Sequence, residues 1–141
     1  MTAKQYLRQL GRIDKQLDNL IKERAELERA QTYLRSPQIE GDRVQTSPSG
    51  DPPWLGYLIK WEELTAKISD KWDDLIRKRY KIIDQINSLS DARYIKLLSL
   101  RYVEFKSLEE IAVEMGYTFG HVLRLHGQAL VEFEEVMKCE Q

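Results

Sequence analysis

Apolar residues spaced seven apart limit the fold of this chain more than any other feature. Side chains at this spacing lie along one face of a helix and pack against a facing helix. The first series is Tyr6, Ile13, Leu20, Leu27 and Leu34, with Leu10 and Leu17 at the complementary position. The second is Trp54, Trp61, Ile68, Leu75, Ile82 and Leu89, with Leu58, Trp72 and Ile86 complementary. The sequence therefore predicts two long helices joined through heptad seams.

A segment rich in proline and glycine separates these two helices. Residues 36–53 hold all four prolines of the chain and two glycines, and proline cannot continue a helix. The flanking helices, each about 35 residues or roughly 50 Å long, match in length. This match favours an antiparallel hairpin within one chain, although each helix pairing with a different chain is an alternative. Two interpretations exist for Arg43, Gln45 and Ser47 in the loop. They touch DNA or a partner, or they belong to a mobile polar tether, and we favour the tether.

Further apolar residues widen each stripe beyond what a single helix pair buries, and this width is typical of an interface. Ordering about 70 residues costs on the order of 100 kcal/mol, whereas each buried leucine-sized side chain returns about 1.5–3 kcal/mol. One isolated hairpin would be marginal, so we expect a homodimer whose hairpins form a four-helix bundle. The predicted oligomer-interface residues are Leu7, Ile21, Leu55, Trp61, Trp72, Ile76 and Ile83. Arg24 and Arg79 interrupt the seams, where an arginine is tolerated if its head reaches solvent or a carboxylate, and such residues often fix register.

Residues 107–130 have the spacing of two short helices joined by a tight turn. Ser107 with Glu110 three positions later is a capping-box pattern, and Gly116 suits the positive φ that such a turn needs. Thr118 would cap the second helix. The predicted inward residues are Ile111, Ala112 and Met115 on the first helix and Val122, Leu125 and Ala129 on the second. This arrangement indicates a helix-turn-helix unit, which commonly binds duplex DNA.

The outward face of the second helix is the predicted DNA-reading surface. Arg124 is the candidate for contacting a guanine, Phe119 and Leu123 would meet base edges, and Ser107 and Thr118 would hold phosphates. Gly120 costs about 1 kcal/mol of helix stability relative to alanine, which suggests that a DNA backbone approaches closely there. The predicted DNA-binding residues are Ser107, Thr118, Phe119, Gly120, His121, Leu123, Arg124 and Gly127.

The stretch from Tyr94 to Leu130 resembles region 4 of the bacterial sigma-70 class, over about a quarter of the chain. The resemblance is carried by Leu100-Arg101-Tyr102, Ser107-Leu108-Glu109-Glu110-Ile111-Ala112 and Gly116-Tyr117-Thr118. The whole layout is similar to small phage and prophage proteins of largely uncharacterised function that are grouped with sigma-like late-gene transcription regulators. Gly41-Asp42-Arg43-Val44-Gln45, His121-Val122 and Arg124-Leu125-His126-Gly127 carry this second likeness. It implies promoter binding and contact with RNA polymerase.

The chain departs from the sigma pattern in two respects. Nothing resembles the aromatic, basic region that melts promoter DNA, and acidic residues replace the basic tail that usually continues the recognition helix. Residues 88–141 hold six Lys or Arg and nine Asp or Glu. Because phosphate neutralisation supplies most non-specific DNA affinity, one copy of this domain should bind weakly. A dimer, or a partner such as polymerase, would have to supply the rest.

Several other classes of protein are not expected. The chain has no catalytic motif of the common kinds, and adjacent carboxylate pairs such as Asp73-Asp74 point about 100° apart on a helix, so we expect neither an enzyme nor a cofactor. Cys139 is the single cysteine, and His121 and His126 are five apart, so no metal site is predicted. His126 is expected to be packed or hydrogen-bonded. With no apolar run of about 18 residues and no signal peptide, we expect the cytoplasm of a bacterial host cell.

The sequence therefore predicts an all-α chain in two parts. Residues 1–87 form a coiled-coil hairpin for assembly, and residues 88–141 form a sigma region 4-like DNA-binding domain. Two alternatives remain. One is the DNA-recognition subunit of a phage packaging motor, and the other is an adaptor whose acidic C-terminal domain binds proteins and never touches DNA.

Overall fold

A computed structural model describes residues 1–35 and 53–140, with the side chains of residues 33–35, 53 and 54 excepted. The elements are α1 (Ala3–Leu7), α2 (Gln9–Arg35), α3 (Pro53–Asn87), α4 (Ala92–Leu98), a π-helical turn (Ser99–Val103), α5 (Leu108–Met115) and α6 (Phe119–Cys139). The described ranges contain no strand, which confirms the predicted all-α class for them. The predicted loop contacts of Arg43, Gln45 and Ser47 lie outside the described residues, as do the side chains of Leu34 and Trp54.

The chain forms two compact units. Unit 1 comprises residues 1–16 and 75–141, and unit 2 comprises residues 17–74. This division differs from the sequence-based boundary at residue 88. The heptad spacing alone predicts that each long helix belongs to a single unit. The tertiary packing instead assigns the start of α2 and the end of α3 to the same unit as α4–α6.

Unit 1 contains most of the buried apolar side chains. α1 packs against α6, and the rings of Tyr6 and Phe133 lie 5.9 Å apart. Leu7 is fully enclosed by its own chain. Its assignment to an oligomer interface is therefore wrong, because α1 turns this side chain into the core of unit 1 and leaves no surface for a second chain.

Polar contacts in unit 1 join two segments, residues 1–16 of α1 and α2 and residues 75–87 at the end of α3. Tyr6 donates a 2.7 Å hydrogen bond to Oε1 of buried Gln85, whose amide nitrogen donates to Glu140. Nε of Arg79 donates to Oδ1 of Asp14 at 2.9 Å. As the residue number rises on one segment it falls on the other, so these segments run antiparallel. The seam arginine at position 79 reaches a carboxylate, as its tolerance in a seam requires.

Unit 2 has a thin core by comparison. Trp61 donates its indole N–H to the carbonyl oxygen of Leu27 at 3.0 Å, which joins α3 to α2. Among the described residues of this unit, the buried apolar side chains are those of Leu17, Leu20 and Ile68. Two helices alone enclose few side chains, so much of the apolar surface of unit 2 stays open to solvent.

The first predicted helix is divided at Arg8 into α1 and α2. Thr2 caps α1 with a reciprocal capping box: Gln5 N–H donates to Thr2 Oγ1 at 3.3 Å, and Thr2 N–H donates to Gln5 Oε1 at 3.1 Å. Arg8 keeps a right-handed helical backbone, with φ −63° and ψ −16°. The heptad pattern continues across this position because the interruption leaves the helical course in place.

Candidate nucleic-acid interface

Local capping sets the start of α5. Ser107 Oγ accepts from the Glu110 N–H at 3.2 Å, and the Glu110 carboxylate accepts from the Ser107 N–H at 3.3 Å. The capping box predicted from the sequence is confirmed, and it satisfies two N–H groups that a helix end otherwise leaves unpaired. Ile111 and Ala112 then face inward and are buried.

A glycine-centred turn ends α5 and sets the direction of α6. Gly116 has φ +72° and ψ 29°, the left-handed conformation expected for this position. Its N–H donates to the carbonyl of Val113 at 3.3 Å, and the Tyr117 N–H donates to that of Ala112 at 3.0 Å. These two bonds form a Schellman motif, which pairs the last carbonyl groups of the helix.

Thr118 begins α6 by accepting the His121 N–H on Oγ1 at 3.2 Å. The three predicted inward residues, Val122, Leu125 and Ala129, are all buried. They recur on one face of the helix, so the opposite face is turned away from the core of unit 1. The inward face of α6 is therefore the one predicted, whereas on α5 Ile111 and Ala112 are buried and Met115, also predicted to face inward, is half-buried.

The outward face of α6 is open in unit 1. Phe119 and Leu123 keep 44% and 45% of their surface exposed, and Arg124 is also exposed. A Cβ placed on Gly120 or Gly127 would meet no atom within 4 Å. Packing among the described residues thus gives no reason for glycine at either position. We name this face, Phe119, Gly120, Leu123, Arg124 and Gly127, the α6 outer face.

His121 differs from the outward orientation expected for it. Its ring lies 4.6 Å from the ring of Tyr117, tilted by 56°, and its Nε2 is buried without a hydrogen-bond partner among the described residues. Tyr117 follows the turn directly and lies where α6 starts, so the ring of His121 packs against the ring of Tyr117. Ser107 is half-buried at the start of α5, and Thr118 is exposed at the start of α6.

A buried polar pair lies behind the α6 outer face. The hydroxyl of Tyr102 and Nε2 of His126 are 2.9 Å apart. Burial lowers the pKa of His126 below its ordinary value of 6.5, and the positive charges of Arg101 and Lys4 lower it further. Burial raises the pKa of Tyr102, while Arg101 and Arg8 oppose that rise. Sequence reasoning placed His126 against the core but did not identify Tyr102 as its partner.

The predicted interface residues of the long helices occupy mixed environments. Ile21 is 53% exposed, and Leu55, Trp61, Trp72, Ile76 and Ile83 are half-buried. Ile21 and Trp72 line a cleft of about 430 Å³ in unit 2, and Leu27 and Leu64 line a second of about 470 Å³. Both clefts are lined by a mixture of apolar and polar residues.

Comparison of the chain with protein-family models, with curated proteins and with solved structures found no match. No helix in residues 1–35 or 53–140 combines the length and the apolar character needed to cross a membrane. Across the same ranges, no group of three or more His, Cys, Asp or Glu side chains is arranged to hold a metal ion.

Proposed function

We propose that this chain is a sequence-specific DNA-binding regulator of the phage and prophage type, in which α5, the Gly116 turn and α6 act as a helix-turn-helix. One observation supports this most: the α6 outer face is exposed beside a turn whose geometry is set by hydrogen bonds. A recognition helix must present side chains that no other part of the same unit covers. The proposal contains no catalytic step and no cofactor.

In the proposed mechanism α6 enters the major groove. Arg124 reads a guanine through its two terminal nitrogens, and Phe119 and Leu123 meet apolar base edges such as a thymine methyl group. The hydroxyl oxygens of Ser107 and Thr118 already accept backbone N–H groups. Their hydroxyl protons remain available to donate to phosphate oxygens, which would position the helix without reading sequence.

Unit 2 is proposed to join two copies of the chain. Its thin core, the exposed side chain of Ile21 and the clefts on the helix pair support a four-helix bundle between hairpins. A symmetric dimer would place two α6 helices on half-sites about 34 Å apart or a multiple of that distance. Contact with RNA polymerase would add affinity at a promoter.

Selection of bound duplexes from a random pool tests the proposal, followed by measurement of the selected and a scrambled duplex with Arg124→Ala. We expect this variant to bind the selected duplex about 5- to 150-fold more weakly, equivalent to about 1–3 kcal/mol, with little change on the scrambled one. Lys96→Ala is the matched control, since it removes an exposed cation from α4. Equal discrimination by wild type and Arg124→Ala would contradict the assigned role of Arg124.

A protein-binding adaptor is the second candidate. Val113 and Val131 are 84% and 64% exposed, so helices α5 and α6 also offer apolar surface to a protein partner. Absence of binding to any duplex at low salt would favour this reading. A particle of more than two copies that binds DNA would instead favour a packaging-motor subunit.

A further inference from the structure

A groove with a strongly basic lining lies on unit 1, and none of the residues that the sequence assigned to DNA belongs to its lining. It occupies about 430 Å³, and its lining contains four cations and no carboxylate. Arg8, Arg12 and Lys15 follow one another at i, i+4 and i+7, so they share one face of the helical course from α1 into α2. The lining residues are Leu7, Arg8, Gly11, Arg12, Lys15, Arg101, Tyr102 and Phe105. We call this surface the basic groove.

Three of its cations have no partner within the described residues. The side chains of Arg8, Arg12 and Lys15 are exposed and form no ion pair or hydrogen bond with the described residues. By contrast Lys106, nearby in sequence, is held by Glu114 at 2.6 Å. Unpaired cations that share a concave surface repel one another, and an anionic ligand relieves that repulsion.

The positive field of the basic groove extends to the buried groups beneath it. Arg8 and Arg101 both favour the ionised form of Tyr102, and Arg101 also lowers the pKa of His126. Arg101 itself is fixed in place, because its guanidinium donates to the Lys106 carbonyl at 3.0 Å. Arg101 therefore holds a defined position in the lining of the groove.

Gly11 and Phe105 contribute apolar surface to the lining of the groove. Gly11 faces Phe105, and a Cβ at Gly11 would lie 3.4 Å from the Phe105 ring. Phe105 adopts φ 58°, an unfavourable conformation for a residue with a side chain, two residues after the π-helical turn ends at Val103. Ser107, the N-cap of α5, follows two residues later. The lining of the groove thus lies two residues in sequence from a residue that contacts phosphate in the proposed mechanism.

Including residues 1–16 and 75–87 also changes the charge of the DNA-binding unit. Residues 88–141 carry three more acidic than basic residues, but the whole of unit 1 carries fourteen Lys or Arg and eleven Asp or Glu, a net charge of plus three. Unit 2 carries eight Lys or Arg and twelve Asp or Glu. Residues 1–16 and residues 75–87 each hold four Lys or Arg and one Asp or Glu, so the two segments contribute equally to the positive charge that residues 88–141 lack.

The geometry points to the basic groove as a binding site for the phosphodiester backbone of duplex DNA, with Arg8, Arg12 and Lys15 each neutralising a phosphate. This inference rests on the proposed function and extends it, because it assigns the non-specific electrostatic contact to residues far in sequence from the helix-turn-helix. Released counterions make such contacts depend on salt, with a slope of about 0.9 for each phosphate neutralised.

The test measures binding of the full chain to a 30-base-pair duplex of scrambled sequence over a range of KCl concentrations. The triple variant Arg8→Gln, Arg12→Gln, Lys15→Gln is expected to reduce the slope of log K against log[KCl] by about 2.7 per chain. The control Lys22→Gln, Arg29→Gln, Lys60→Gln removes three exposed cations from unit 2 and should keep the wild-type slope. If the triple variant does not fold by circular dichroism, Arg12→Gln decides, with an expected reduction of about 0.9 and recovery in Arg12→Lys.

The possible outcomes separate the two proposals. An unchanged slope in the groove variants, while Arg124→Ala loses discrimination, overturns the groove and leaves the proposed function standing. A reduced slope without any selected sequence supports the groove and removes sequence reading by α6. No duplex binding by the wild type removes both. Tighter binding of a single strand of equal length, or displacement of the duplex by inorganic phosphate at constant ionic strength, overturns the assignment to duplex backbone.

Discussion

The contact between Tyr102 and His126 illustrates how much of the environment of one residue the sequence alone predicts. From the sequence, His126 borders the inward face of α6, and the expectation that it is packed or hydrogen-bonded is confirmed. Its partner lies 24 residues earlier, at the π-helical turn. Spacing rules apply within one helix, so they identify which face a residue occupies but not the residue from another element that meets it.

His126 should make the stability of unit 1 depend on pH. Its folded pKa lies below the ordinary value of 6.5, so the unfolded chain binds the proton more readily. The free energy of unfolding should therefore be highest above pH 6.5 and fall as the pH drops below it. Urea unfolding at pH 7.5, 6.5 and 5.5 measures this loss, which should be smaller in His126→Gln. An equal loss in both proteins would assign the dependence to other groups.

At the scale of elements, α5, its turn and α6 were predictable because their determinants are local. Ser107 with Glu110, Gly116, and Thr118 each act on backbone groups within five residues. The π-helical turn and the positive φ of Phe105 were not predictable, because nothing in the local sequence favours them. They arise where α4 must connect to α5 while Leu100 and Tyr102 stay buried.

Two glycine substitutions should have opposite effects on stability. Gly116→Ala places a side chain in the left-handed region and should lower the free energy of unfolding by about 1–2 kcal/mol. Gly127→Ala lies inside α6 with open space around its Cβ, so it should raise that free energy by up to about 1 kcal/mol. Urea denaturation of both variants measures the difference. Stabilisation by Gly116→Ala would show that the turn does not need its left-handed residue.

At the scale of the whole molecule, the sequence predicted two long helices but not which part of each helix belongs to which compact unit. Heptad seams describe Leu10, Leu20 and Ile68 alike, yet the first lies in unit 1 and the others in unit 2. The heptad repeat predicts which face of a helix is apolar. The residues that cover that face depend on the packing of α4–α6, so the heptad spacing alone predicts neither the unit boundary nor the basic groove.

Self-association through unit 2 is tested by placing a charge on its exposed apolar surface. Ile21→Glu should convert the proposed dimer to single chains, because a carboxylate cannot be buried between hairpins without a partner. Ile59→Glu is the control, since this isoleucine is 50% exposed, close to the 53% of Ile21, and lies outside the predicted interface. Sedimentation equilibrium gives the particle mass. A wild-type mass equal to one chain would contradict the predicted dimer.

Unit 1 takes its residues from both ends of this sequence, and unit 2 comes from the middle. Residues 17–74 therefore have the topology of an insert. We expect that a short bridge in place of these residues would leave the packing of α1 on α6 intact, because both helices belong to unit 1. A fragment cut at residue 88 would, in contrast, lose Leu7, Leu10 and Ile86 and expose the surface they cover. The smallest self-contained form of unit 1 would therefore be spliced from two segments rather than truncated at one end.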